Sequence, residues 1–273
     1  MTLIKIAPSP QASVNSQDNG LIQPPTEPLD VKIQRVSEDL KELNKIYYVA
    51  TSPTRTLKLQ EYIAKELDLL KEFPFDESDQ DAKVDYILLK GYLERQHRQL
   101  ELYVKLDRQA RQLLPFSATI VQLCEDRALG VPVVGQNAAQ KLHDTTNSIK
   151  SLIEKIETKG FGTEFAATDA YRAARTVDKF IAYMKEWFDY YAGYDPLFSW
   201  WVESPYEELK KNLSDLGASI RHKLVGIQPG ENEGDAIVGE PIGWDGLLAE
   251  LKADMVPYSP EEILAIGEQE FEW

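Results

Sequence analysis

From Asp79 or Ser78, either of which could open a helix, the chain runs to Pro115 without a proline through VDYILLKGYLERQHRQLELYVKLDRQARQLL. This pattern predicts one helix of about 35 residues, roughly 50 Å long at 1.5 Å per residue. A helix of that length overshoots any single small core, so the rest of the chain must use it as a spine. Its one glycine, Gly91, weakens it by roughly 1 kcal/mol relative to alanine, and we read it as a close-packing position rather than a hinge.

The flanking sequence repeats at helical spacing. Leu29, Ile33, Val36, Leu40, Leu43 and Tyr47 step by fours and threes, which is one face of an amphipathic helix. Ser52 and Pro53 have the cap-plus-proline pattern of a helix start, and Leu59, Ile63, Leu67 and Leu70 supply the buried stripe that follows. Pro115 opens a short helix through Ile120, Leu123 and Cys124. Ala138, Leu142, Thr145, Ile149, Leu152 and Ile156 follow up to Gly160, a C-cap residue. Thr168 is placed to cap a helix carrying Tyr171, Ala174, Val177, Ile181, Met184, Phe188 and Tyr191. No strand alternation of useful length appears. The expected fold class is all-α: a multi-helix bundle of about eight helices with one long spine.

Composition divides the chain further. Residues 1–28 carry five prolines among Ser, Gln and Asn and have no apolar period, so they read as a disordered arm. The bundle proper spans 29–225. A loop at 226–243 holds five glycines and two prolines, and 244–273 carry the last helices. Ser259, Pro260 and Glu262 spell a capping box for the final one. That helix reaches Trp273 without a C-cap glycine or a basic last turn, so the pattern reads as interrupted, with Ile263, Ile266, Phe271 and Trp273 short of cover.

The densest run of rings is YDPLFSWWVESPYEELKKNL, residues 194–213. Pro196 is expected to break one helix, and Ser204, Pro205 and Glu207 to begin the next with a capping box. Rings buried in such a segment are ordinarily packing, a plug between two helices. The alternative is a ligand-facing ring, and the candidate binding residues are Trp200, Trp201, Tyr190 and Tyr206.

The net charge of −15 argues against nucleic acid or an anionic membrane as partner, because either demands a basic stripe. Acid concentrates at the end, where 231–273 hold twelve carboxylates against Lys252 alone. We read this as a solvated face, with a docking surface for a basic partner or cationic substrate as the sharper option. The amino-terminal residues lack an apolar signal core, and the apolar runs are too short to span a bilayer, so a cytoplasmic protein is expected. Cys124, the single cysteine, excludes an internal disulfide framework. The three histidines stand in separate helical patterns without metal-ligand spacing. His97, flanked by Glu94 and Glu101, reads as surface charge pairing. No catalytic residue and no metal ligand is assigned.

Three segments carry a family resemblance: the aromatic stretch, GEPIGWDGLLAELKADMVPYSPEEILAIGEQEFEW after the loop, and VDYILLKGYLERQHRQLELY. Together they resemble the all-helical domain-of-unknown-function family eight-eight-five of bacteria and fungi, over roughly Leu29 to Trp273. Met255 to Glu262 is the most specific part. Members resemble helical zinc carboxypeptidases. The resemblance implies the amino-terminal, non-metal-binding half of a metallopeptidase-like hydrolase, truncated or a naturally short paralogue. The family's metal motif, a His-Glu pair with a further His on one helix, would follow Trp273. Zinc is therefore expected only with a carboxy-terminal half, and none in this chain. Partners implied are that half, or a second copy, through Phe271 and Trp273, with a peptide or small molecule as ligand. A stand-alone helical interaction protein and a small-molecule enzyme reusing the cleft are the alternatives.

Overall fold

The computed structural model describes residues 27–158, 161, 165–228, 238–239 and 242–273. These form nine α-helices and no strand: α1 (Leu29–Ile46), α2 (Pro53–Leu70), α3 (Gln80–Gln112), α4 (Ser117–Ala128), α5 (Gly135–Glu157), α6 (Ala167–Ala192), α7 (Pro196–Ile220), α8 (Gly243–Ala253) and α9 (Pro260–Phe271). A π-helical turn, Arg221–Val225, extends α7 and ends on Gly226, whose φ of 91° is one that a side chain would resist. The amino-terminal arm, apart from its last two residues, lies outside the described residues. So do Gly160 and most of the loop expected at 226–243.

The spine is α3, 33 residues long. Asp79 caps it by accepting from the Ala82 N–H at 2.8 Å. Its two ends enter different cores. Leu89, Leu93 and Leu100 join Leu29, Val36, Leu40, Leu59, Ile63 and Leu70 from α1 and α2. Near its carboxy-terminal end Ala110, and just past it Leu113 and Leu114, enter the larger core that α4 to α7 build around Leu142, Phe180, Trp187, Phe198 and Leu213. Between the two, Tyr103 and Val104 stay exposed. This stretch is a waist.

Residues 47–52, which connect α1 to α2, tie the small core to the large one. Val49 is buried in the large core, and Tyr48 meets Tyr183 of α6 edge-on at 5.5 Å. The Ala50 N–H donates to the Tyr183 hydroxyl at 3.2 Å. Ser52 caps α2 through the Arg55 N–H and donates its own hydroxyl to Glu125 on α4.

Three local expectations are corrected. Thr168 does not cap α6: the helix begins at Ala167, after an Ala166 cap that has no side-chain bond. Ser204 and Pro205 do not begin a helix. Asp195 is the cap, accepting from the Leu197 N–H at 2.9 Å, and α7 runs through Pro205. Proline inside a helix costs about 3 kcal/mol. Here Phe198, Val202, Tyr206, Leu209, Leu213, Leu216 and Ile220 form one continuous buried stripe across it. Several fully buried side chains at roughly 1.5–3 kcal/mol each outweigh that cost. Finally, Gly91 is not a close-packing site, since a Cβ there would meet nothing within 4 Å.

The carboxy-terminal helices sit apart. Arg95 on α3 reaches Glu250 and Asp254, and the Arg98 guanidinium donates to the Ala249 carbonyl, which holds α8 against the spine. In α9 the capping box of Ser259 and Glu262 forms as expected. Only Pro260 of that helix is buried, and Leu264, Ile266, Phe271 and Trp273 are exposed.

Candidate functional site

The rings singled out from sequence part into two groups. Tyr206 is buried and stacks on Phe188 at 4.2 Å, inside a cluster with Trp187, Tyr191 and Phe198. That half is a plug. Trp200 is exposed and meets Trp201 edge-on at 4.7 Å. Tyr190 is also exposed, with the Arg127 guanidinium 5.6 Å from its ring. No ring contact joins Tyr190 to the tryptophan pair among the described residues.

The waist of α3 opens instead onto a cleft of about 550 Å³, within the range of ~300–1,000 Å³ typical of small-molecule sites. Among the described residues, three helical segments and Val238 face it. The α1–α2 connection and the start of α2 bring Thr51, Arg55 and Thr56. The spine brings Tyr103, Asp107 and Arg111. From α6 come Thr168, Arg172, Arg175 and Lys179. The last four step by four, three and four residues, which puts them on one helix face. Five cations thus confront one carboxylate among the described lining residues, in a chain whose net charge is −15.

How those charges are engaged decides what the cleft can do. Asp107 is committed to Arg172, which donates to it at 3.0 Å. Arg111 donates to the carbonyl of Thr51, and Arg55 to the side-chain oxygen of Asn44 at 2.5 Å. Both acceptors are neutral. Among the described residues no carboxylate pairs with Arg55, and burial holds its pKa below the usual guanidinium value. A half-buried cation without a counter-charge is electrostatically unsatisfied, and an anion is what would satisfy it. The Thr51 hydroxyl is likewise buried with no partner among the described residues.

The chemistry offered is that of binding. Guanidinium groups, an ammonium and hydroxyls suit a phosphate or carboxylate, and guanidinium forks suit planar oxyanions best. Cys124 is fully buried, and burial pushes its thiol up to about 11, so it is no thiolate nucleophile near neutrality. His97 faces Glu101 at 3.7 Å on the α3 surface. Among the described residues no group of three or more His, Cys, Asp or Glu side chains is placed to hold a metal ion. None of the described helices is long and apolar enough to cross a membrane.

Sequence reading missed the cleft. The signal that could have found it is the Thr168, Arg172, Arg175, Lys179 face, a basic stripe beside the apolar one. No family model, curated protein or solved structure matches the chain.

Proposed function

We propose that this chain binds a small anionic ligand, carrying a phosphate or carboxylate group, in the cleft between α2, α3 and α6. The observation that carries this reading is Arg55, a half-buried guanidinium facing the cleft whose acceptor among the described residues is neutral. Arg175 and Lys179, exposed at the rim, steer the anion inward. Under the family resemblance, the anion would be a peptide carboxylate and the chain the metal-free half of a metallopeptidase-like protein, inactive as a peptidase by itself. Calorimetric titration with inorganic phosphate tests the site. Binding that disappears in Arg175→Glu/Lys179→Glu, with helicity and melting unchanged, supports the reading. Equal affinity in both proteins removes it.

A second reading, a helical interaction protein, draws on a different surface. In 242–273 Trp244, Met255, Tyr258, Leu264, Phe271 and Trp273 are exposed among eight carboxylates and one lysine. Apolar surface on that scale, rimmed by charge, marks a docking face for a second polypeptide.

A further inference from the structure

The cationic cleft has a neighbour. A cavity of about 290 Å³ shares Thr51, Asp107, Arg111 and Thr176 with it and extends beneath the carboxy-terminal turns of α3 toward α4. Its character is different. Pro53, Ala110, Leu114, Ala118, Val121 and Phe180 give it an apolar side that the cationic cleft lacks. Four of its polar side chains are engaged elsewhere: Glu125 accepts from Ser52, the Gln122 amide donates to Asp126 at 2.7 Å, Asp107 accepts from Arg172, and the Thr176 hydroxyl donates to the Arg172 carbonyl. Arg111 stands where the chambers meet, its guanidinium turned to the Thr51 carbonyl, and the Thr51 hydroxyl, without a partner among the described residues, lines both chambers with it.

Resting on the reading of the cleft as an anion site, we infer that its ligand is an amphiphilic anion. The head occupies the chamber of Arg55, Arg172, Arg175 and Lys179. A short apolar body passes Arg111 and fills the chamber under α4, and a polar linkage atom meets the Thr51 hydroxyl. A purely ionic ligand would leave the apolar chamber without an occupant of matching chemistry, and a purely apolar one would leave Arg55 without a counter-charge among the described residues. Only a molecule with both ends suits both walls.

The test is a chain-length series. Dissociation constants are measured by calorimetry for straight-chain alkyl phosphates from methyl to hexyl, and for the matching alkyl carboxylates, which decide between the two head groups. Each methylene that enters the apolar chamber is expected to tighten binding by up to about fourfold, until the chamber is full. Ala118 is exposed on the chamber wall, so Ala118→Phe obstructs it without disturbing a core position. That variant should bind methyl phosphate as the natural protein does but show no gain with length. Ala118→Leu, a smaller filler, should fall between and guards against a folding defect in the first. A flat series in the natural protein, or a gain that both variants retain, overturns the amphiphile while methyl phosphate binding keeps the anion site standing. Failure of every phosphate and carboxylate to bind overturns the site itself, and the inference with it.

Discussion

Glu66 on α2 presents both carboxylate oxygens to the two terminal nitrogens of Arg35 on α1, each at 2.9 Å. Its side chain is 2% exposed, and Lys32 approaches at 3.8 Å. Arg35 also holds Glu27 and Asp39, and the hydrogen bonding it donates to Glu66 is the largest influence raising its pKa. The small core is therefore fastened by a buried fork of charge. Glu66→Ala should lose about 1–2 kcal/mol in a urea titration, because it leaves the buried Lys32 without its counter-charge while Arg35, a third exposed, keeps Glu27 and Asp39. The double change Arg35→Met/Glu66→Leu should recover much of that loss.

Arg55 gives a prediction of opposite sign. Its charge is disfavoured by burial and meets no counter-charge among the described residues. Arg55→Met keeps the apolar stem and removes the cation, so the ligand-free protein should gain about 0.5 kcal/mol while phosphate binding is lost. A variant that is less stable and binds phosphate unchanged would show the residue to be structural.

Gly91 and Gly135 separate two reasons for a helical glycine. Nothing crowds a Cβ at Gly91, so Gly91→Ala should stabilise by up to about 1 kcal/mol in thermal melts. At Gly135 the same Cβ would lie 3.2 Å from the Phe198 Cα, where α5 and α7 start against each other. Gly135→Ala should destabilise by about 1 kcal/mol, since backbone must move to admit it.

Cys124 sets a dependence on alkaline pH. The folded chain keeps the thiol proton up to about 11, whereas the unfolded chain releases it near 9.0. Above pH 9 the unfolded state binds fewer protons than the folded one, so stability falls as pH rises from 9 toward 11. Cys124→Ala should flatten that part of the decline in urea midpoints. Thiol reagents at pH 8 should label the natural protein only as fast as it opens.

The α9 surface is tested by size. Phe271→Ser/Trp273→Ser should lower the mass seen by light scattering without loss of helicity, if these rings seat against a second chain. A natural protein that is already monomeric at high micromolar concentration would exclude self-docking there.

What could be read from sequence tracks how local the cause is. Asp79, Ser52 and the Ser259/Glu262 box cap their helices through bonds spanning three residues; the last two were legible, and Asp79 was one of two candidates with Ser78. Stripes such as Leu59, Ile63 and Leu70 were legible for the same reason. Pro205 misled because its local preference yields to a stripe buried by partners far along the chain. The cleft was hidden because Arg55, Arg111 and Arg175 belong to three helices that only the tertiary fold brings together, while the net charge pointed the other way.

Among the described residues, the two cores are joined chiefly by one helix and one strap, residues 47–52. Amide exchange should therefore resolve two cooperative units rather than one. The α1–α2 unit is the smaller, and when it swings open the cleft loses Arg55 but keeps Arg111 and Arg172. An occupant bridging the two sides would slow that opening. Exchange of the α2 amides is then a gauge of occupancy at the waist of α3, readable without knowing what the occupant is.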